Sequence, residues 1–292
     1  MSPDTQRRRL LQQYGERFQK LRTDRHADGT PRPHKPVMLL AVLSLADNGQ
    51  LLRNEISYSP ELLELFTRFF DIVRQDTDRC TPWNPFFHMR SEGFWHLKAL
   101  PGQEAVLAAL KQLKSGAELS RHVAHASLDP DLFVYISQTV ERERLRQAII
   151  DRYFSDHRQE LLALCGEERD IGRVRESWRE NGYRVNRGDV PGTSDSVRSS
   201  AFARTVREAY DYRCAACGIR FRYNDITVID AAHLIPFSET KDNSPQNGMA
   251  LCKNHHWLMD SNLLAPGPGP RGEAFGARRA RRPGHPGSAA RT

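Results

Sequence analysis

Four potential zinc ligands between residues 212 and 264 constrain this chain more than any other feature. Cys214 and Cys217 form a Cys-x-x-Cys pair, and further along the chain Cys252 and His255 form a Cys-x-x-His pair. Thiolate and imidazole groups at these spacings are typical of a closed tetrahedral zinc site. The sequence therefore predicts a small module whose folding depends on a structural Zn²⁺ ion.

Polar residues that the zinc ion does not need lie among and after these ligands. The β-branched residues 226–230 predict a strand that delivers His233 near its end. Residues 254–264 predict a short helix on which His256 and Asp260, four positions apart, share one face. A neutral imidazole can take a proton from water, and a divalent cation can neutralise a phosphate and stabilise its leaving oxygen. These residues thus favour the hydrolysis of a phosphodiester.

The same stretch resembles the HNH endonucleases, a family with a ββα-metal fold, over about 50 residues. The resemblance implies that His233, in a His-x-x-Pro setting, is the general base. It implies that Asn247 pins the intervening loop and orients that base. It also implies that His256 is a helix-borne ligand of a catalytic Mg²⁺ or Mn²⁺ ion, and a zinc knuckle is a frequent companion of this motif.

One position departs from the family pattern. Ala232 stands directly before the base, where many members carry an aspartate or histidine as a second metal ligand. Asp230 lies two residues earlier on the same strand face, displaced by roughly 6.6 Å. Asp260 is the alternative, because other members place a metal-binding histidine one helical turn after the first. The sequence slightly favours Asp260 and leaves both ligands open.

Residues 80–90 form a second unusual stretch, rich in proline and aromatic residues. The prolines argue against a regular helix. Trp83, Pro85 and Arg90 would place a rigid apolar patch beside a cation, which can receive part of a nucleotide, so Arg90 is a candidate DNA contact. A small aromatic core under the loop is the better explanation for three neighbouring side chains, Phe86, Phe87 and Trp95.

Residues 34–40 and 84–97 resemble the sulfur-binding domain that is joined to HNH nucleases in some McrA-type restriction enzymes, which depend on DNA modification. In such domains a shallow apolar pocket receives a phosphorothioate sulfur, which is larger and less well hydrated than oxygen, while basic residues hold the backbone. The resemblance implies backbone contacts at Arg32, His34 and Lys35, and pocket positions at Pro85 and Phe86. A solvated helix N-terminus explains Arg32 and Lys35 equally well, as a cap or packing role explains His34.

The 292 residues predict an α+β chain in four parts. Residues 1–155 form a mainly helical DNA recognition domain with a small sheet, and residues 156–200 form a helical connector and linker. Residues 201–265 form the zinc-stapled ββα-metal HNH domain. Residues 266–292 are a Gly/Pro/Arg tail whose composition predicts disorder, and an out-of-frame extension of the gene is one explanation of that composition.

The net charge of +7 suits a polyanionic partner, which we expect to be modified double-stranded DNA. The absence of an apolar signal region or a membrane-length apolar stretch predicts a cytoplasmic protein without a membrane partner. A homodimer is a reasonable expectation, because one such site cuts one strand at a time. Three functions remain open: an endonuclease that restricts phosphorothioated DNA, an HNH nuclease for methylated or other foreign DNA, and a noncatalytic zinc-containing DNA-binding protein.

Overall fold

A computed structural model describes residues 3–183, 190–223, 226–267 and 276–277. The chain divides into two compact units, one of Met1–Gly182 with Gly188–Arg198 and one of Tyr183–Arg187 with Ser199–Thr292. Each unit has its own secondary structure and is described by itself. Within the described residues, no helix combines the length and the apolar character needed to cross a membrane.

The first unit is mainly helical with a small sheet, as predicted. Its helices, in chain order, are α1 (Pro3–Gln19), α2 (His34–Asp47), α3 (Pro60–Val73), α4 (Trp83–His88), α5 (Glu104–Ala109), α6 (Gly116–His122), α7 (Pro130–Ile136), α8 (Thr139–Tyr153) and α9 (Arg158–Glu180). Strands β1 (Trp95–Ala99) and β2 (Val123–Leu128) pair antiparallel. Helix α2 is apolar nearly all round and is buried from residue 36 to residue 45, so it forms the centre against which α3, α4, α8 and α9 pack.

Helix α4 corrects the expectation that prolines prevent a helix in residues 80–90. Pro82 precedes the helix, and Pro85 lies in its first turn. The first backbone N–H groups of a helix have no intrahelical partner, so a proline in this turn removes no hydrogen bond. The predicted aromatic core is present, because the rings of Phe86 and Trp95 meet edge to face at 5.3 Å and both are buried.

Helix α9 packs within the first unit, although the sequence places the boundary between recognition domain and connector at residues 155 and 156. Its Glu168 is fully buried and accepts hydrogen bonds from Asn48, at 3.0 Å, and from Arg68. Gly172 lets the backbones approach closely, since a Cβ there would lie 2.9 Å from Asn48 Cα. Buried charge pairing and close backbone contact therefore join residues 158–180 to the preceding helices.

The second unit carries the ββα arrangement that the sequence predicts. The elements after residue 194, in chain order, are α10 (Asp195–Ala209), β3 (Arg222–Tyr223), β4 (Ile226–Thr227), β5 (Ile229–His233), α11 (Phe237–Thr240), β6 (Gly248–Cys252), α12 (Lys253–Asp260), β7 (Leu264–Ala265) and β8 (Gly276–Ala277). Strands β5 and β6 pair antiparallel and α12 packs on them. The predicted linker lies partly outside the described residues, at 184–189, and so does most of the tail, at 268–275 and 278–292.

Candidate functional site

The four predicted zinc ligands come together in the second unit. Their ligand atoms all lie within 4.8 Å of one another. The Nδ1 atom of His255 lies 3.1 Å from Cys252 Sγ and 3.7 Å from Cys214 Sγ. A tetrahedral zinc ion with Zn–S bonds of about 2.3 Å and Zn–N bonds of about 2.0 Å separates such atoms by about 3.5 Å. The residues Cys214, Cys217, Cys252 and His255 therefore fit a structural zinc ion.

Backbone hydrogen bonds bring the two halves of this ligand set together. Ala215 N donates to Ala250 O at 2.8 Å, which ties the Cys-x-x-Cys turn to β6, and Cys252 ends the same strand directly before α12. Burial raises the pKa of the Cys214 thiol, but backbone hydrogen bonds from Cys252, Cys217 and Ala216 outweigh it, so the net shift is downward. The backbone thus favours the thiolate, which is the form that binds metal.

His233 lies at the end of β5, in a small aromatic setting. Its ring stacks on Phe202 of α10, with centroids 4.1 Å apart and planes 8° apart, and Phe237 lies on another side at 5.5 Å. Gly248 faces His233 across the sheet and admits α10, because a Cβ there would lie 2.3 Å from Val206 Cγ2. The Nε2–H group of His233 donates to Asn243 Oδ1 at 3.0 Å. The imidazole ring is therefore held by stacking on Phe202 and by a hydrogen bond at Nε2.

Asn247 holds the loop between β5 and β6 closed. Its Oδ1 accepts from Ile235 N at 2.8 Å, and its Nδ2 donates to Ile235 O at 3.0 Å and to Asp242 O at 3.2 Å. These contacts support the pinning role that the sequence implies for Asn247. The loop residue whose side chain forms a hydrogen bond with the His233 ring is Asn243, which was not predicted from the sequence.

His256 on α12 lies between the two candidate carboxylates. Its Nδ1 is 3.3 Å from Asp230 Oδ2, and its Nε2 is 3.5 Å from Asp260 Oδ2. Lys253 Nζ lies 2.7 Å from both carboxylate oxygens of Asp230. The Asp230 side chain is 28% exposed and that of Asp260 is 68% exposed. Asp230 is thus the more firmly held carboxylate and already attracts one cation.

The described residues show two groups of contacts on β5, one around His233 and one around His256. Residues three apart on a regular strand point to opposite faces, and the Cα atoms of Asp230 and His233 are separated by roughly 10 Å of strand. The structure brings His256 together with Asp230 and Asp260, and His233 together with Asn243.

The first unit contains a cavity of about 580 Å³ beside the start of α2 and α4. Four of the predicted DNA contacts line it: Arg32, His34, Lys35 and Pro85. Trp83 and Asn84 of α4 also contribute to its wall. The cavity therefore combines an apolar proline and indole surface with basic side chains.

The basic side chains of this cavity are already paired with carboxylates. Arg32 Nη1 lies 2.7 Å from Asp78 Oδ1, and Lys35 Nζ forms an ion pair with Glu92. His34 donates from Nε2 to the carbonyl of Arg79 at 2.9 Å, and burial lowers its pKa. At neutral pH His34 is thus uncharged, and the two cations are fixed in place and partly neutralised.

Two family models match this chain. Residues 214–265 match the HNH endonuclease family, and residues 11–169 match the ScoMcrA-like DNA sulfur-binding domain. The second match covers more than half of the chain. The chain belongs to the ScoMcrA-like DNA sulfur-binding domain family. Its second unit carries the HNH endonuclease region, and the match to residue 169 agrees with the placement of α9 in the first unit.

Among solved structures, the chain is similar to the "Sulfur binding domain of SprMcrA complexed with phosphorothioated DNA". The two sequences are 18% identical, the match covers 49% of this chain and 85% of that chain, and the TM-score is 0.37. None of the curated proteins compared matches the chain.

In this ScoMcrA-like first unit, two predicted DNA contacts require correction. Phe86 is 0% exposed and packs between Tyr58 and Trp95, so it does not line the cavity. Arg90 donates to the carbonyls of Leu107 and Leu110 and lies over the ring of Phe87, with 3.9 Å to the centroid. Its guanidinium is engaged by the protein and does not line the cavity.

Two further cations of the ScoMcrA-like unit line the cavity and were missed by the sequence analysis. They are Arg22, after α1, and Lys114, before α6. Both lie far in sequence from the proline-aromatic stretch, and no local pattern marks them. They could be found only once the loops around the cavity were placed.

Proposed function

We propose that this protein is a metal-dependent DNA endonuclease that cleaves phosphorothioate-modified DNA and so restricts DNA carrying that modification. The observation that carries the proposal is the presence, in one chain, of a DNA sulfur-binding domain and an HNH endonuclease region with a complete set of zinc ligands. A reader of modified DNA and a phosphodiester-cleaving module together make a modification-dependent nuclease. A dimer that cuts both strands remains a prediction.

The pairing of charges in the cavity supports a preference for sulfur. An ordinary phosphate oxygen is bound best by free cations and by several N–H donors. Two of the four Arg and Lys residues that line the cavity, Arg32 and Lys35, form ion pairs with Asp78 and Glu92, which weakens their attraction for an oxygen. Sulfur is less well hydrated than oxygen, so it loses less hydration free energy when it moves from water to the apolar part of the cavity wall formed by Pro85.

The residues of the second unit supply a hydrolytic reaction. His233 accepts a proton from water at Nδ1, because its Nε2 is engaged by Asn243. The hydroxide attacks phosphorus and the bond to the 3′ oxygen breaks, which leaves a 5′ phosphate and, after protonation, a 3′ hydroxyl. A Mg²⁺ or Mn²⁺ ion, when bound, neutralises the phosphate and stabilises the leaving oxygen. His256 and Asp230 are the residues that would hold it.

The decisive experiment compares phosphorothioated and plain copies of one plasmid, each incubated with the full-length protein and Mg²⁺ or Mn²⁺. We expect cleavage of the modified plasmid and little or none of the plain one. Equal cleavage of both would indicate an HNH nuclease with another target. Binding without cleavage, in either metal, would indicate a noncatalytic DNA-binding protein.

The choice between Asp230 and Asp260 can be tested by metal binding. Because Asp230 is the better held and less exposed carboxylate, we expect Asp230→Asn to weaken Mn²⁺ binding by at least roughly 10-fold, since loss of an outer-shell partner alone costs about 10–100-fold. Asp260→Asn should change Mn²⁺ binding less than about threefold. Titration calorimetry on zinc-loaded protein without DNA measures both. The opposite order would assign the site to Asp260, which the sequence slightly favours.

A further inference from the structure

The ring of His233 is held at Nε2 by a residue that belongs to neither the zinc site nor the metal-binding group. We propose that Asn243 is a positioning residue that fixes the tautomer and the in-plane orientation of His233. The proposal rests on the proposed role of His233 as general base and adds the residue that makes that role possible. Asn243 touches neither substrate nor metal in this assignment, so it acts only through the imidazole.

The hydrogen bond defines which nitrogen can act as the base. Asn243 Oδ1 lies 3.0 Å from His233 Nε2, and an amide oxygen can only accept. Nε2 must therefore carry the hydrogen, which leaves the lone pair of a neutral ring on Nδ1. Without an acceptor at Asn243, solvent would set the ratio of the two tautomers. Only the tautomer with its hydrogen on Nε2 has the Nδ1 lone pair that the proposed reaction uses.

The aromatic neighbours of His233 cannot make this choice by themselves. Phe202 lies parallel to the ring, at 4.1 Å and 8°, and Phe237 lies beside it at 5.5 Å. A flat hydrocarbon face keeps the imidazole from tilting. It does not distinguish the two ring orientations related by a 180° rotation about the Cβ–Cγ bond, which exchange nitrogen and carbon positions. The polar contact with Asn243 makes the distinction, while Phe202 holds the plane.

The loop places Asn243 through the contacts of its neighbours. Asp242 Oδ1 accepts from Ser244 N at 2.7 Å, which forms a tight turn around Asn243. Asn247 Nδ2 donates to Asp242 O at 3.2 Å and to Ile235 O at 3.0 Å, so it joins the two ends of the loop. The two asparagines therefore have different roles: Asn247 joins the two ends of the loop, and Asn243 contacts the proposed base.

Three variants test the proposal by single-turnover cleavage of phosphorothioated DNA. Asn243→Ala removes the acceptor and should lower the single-turnover rate constant by roughly 10–100-fold, the size of effect that loss of an outer-shell partner has at a metal-ligating histidine. The protein concentration that gives half the maximal rate should change less than about twofold. Asn243→Asp keeps an acceptor oxygen in place and should stay within about threefold of the wild type. Gln246→Ala is the matched control, because its side chain is exposed in the same loop.

Two cleavage outcomes would overturn the proposal. If Asn243→Asp is as slow as Asn243→Ala, residue 243 does not act as an acceptor. If Gln246→Ala loses as much activity as Asn243→Ala, the substitutions act by destabilising the loop. Thermal unfolding of each variant shows whether the second unit still folds.

The ¹⁵N chemical shifts of the His233 ring give a readout that needs neither DNA nor cleavage. Wild-type protein should show the pattern of an Nε2–H tautomer, and Asn243→Ala should show a mixture, with the signal assigned by its loss in His233→Gln. If wild-type protein cuts no DNA, the proposed function fails while this readout still tests Asn243. Identical ring signals in wild type and Asn243→Ala would refute the positioning role.

Discussion

Replacing His233 with alanine is expected to slow the cleavage of phosphorothioated plasmid by roughly 10³-fold, in the middle of the range for loss of a general base. His233 is the residue of β5 whose ring has one nitrogen engaged, by Asn243, and the other available for a proton. DNA binding should be unchanged, because the sulfur-binding domain lies in the first unit. Single-turnover cleavage and gel-shift titration measure the two effects separately.

Two further variants make this result specific. His233→Gln keeps a planar polar group against Phe202 but has no basic nitrogen, so it should be as slow as the alanine variant. His157→Ala removes a half-exposed histidine of the first unit and should leave the rate unchanged. A His233→Gln enzyme with more than about a tenth of the wild-type rate would show that another group accepts the proton, since a lost base costs at least about 10²-fold.

The zinc ligands and the ββα elements could be predicted from sequence because their determinants are local. Ligand spacing fixes Cys214 and Cys217 on one turn and Cys252 and His255 across a strand end, whatever the rest of the chain does. The same holds for His256 and Asp260, whose separation of four places both on one helix face. Local patterns therefore predicted the cluster of four zinc ligands and the proximity of His256 to Asp260.

The contacts between these groups could not be predicted, because they depend on how loops close. Asn243 contacts His233 across ten residues, within a loop whose two ends are joined by the side chain of Asn247. The polarity of Asn243 alone is typical of any turn. Similarly, Asp230 meets His256 through the pairing of β5 with β6 and the packing of α12, which no spacing rule encodes.

The errors in the first unit have the same origin. A run of prolines and aromatic residues shows that a stretch is rigid, but not which face turns inward. Pro85 lines the cavity while the adjacent Phe86 is fully buried in the core. The stretch also folds into α4, because a proline in a first turn costs no hydrogen bond. Residue type alone therefore could not show which side chains of this stretch line the cavity and which are buried in the core.

Removal of the structural zinc is expected to unfold the second unit and to abolish cleavage entirely. The ion would join the Cys-x-x-Cys turn, the end of β6 and the first turn of α12, through Cys214, Cys252 and His255. Structural zinc sites contribute about 10–16 kcal/mol of apparent binding free energy in zinc-finger peptides. This is as large as the whole stability of a typical domain, about 5–15 kcal/mol. Cys252→Ser should therefore lose zinc, cleavage and the unfolding transition of the second unit together.

The first unit serves as the internal control for the loss of zinc. Its core is built from α1 to α9 and contains none of the four zinc ligands, Cys214, Cys217, Cys252 and His255. Cys252→Ser should therefore still bind phosphorothioated DNA with wild-type affinity. Cys80→Ser is the matched control: its side chain contacts Thr67 Oγ1 at 3.6 Å, and a serine can keep that hydrogen bond. Elemental analysis, two-transition thermal unfolding and plasmid cleavage distinguish the variants. Full cleavage by a zinc-free Cys252→Ser protein would contradict the prediction, because His256 follows Cys252 on α12 and keeps its position only if that helix start is held.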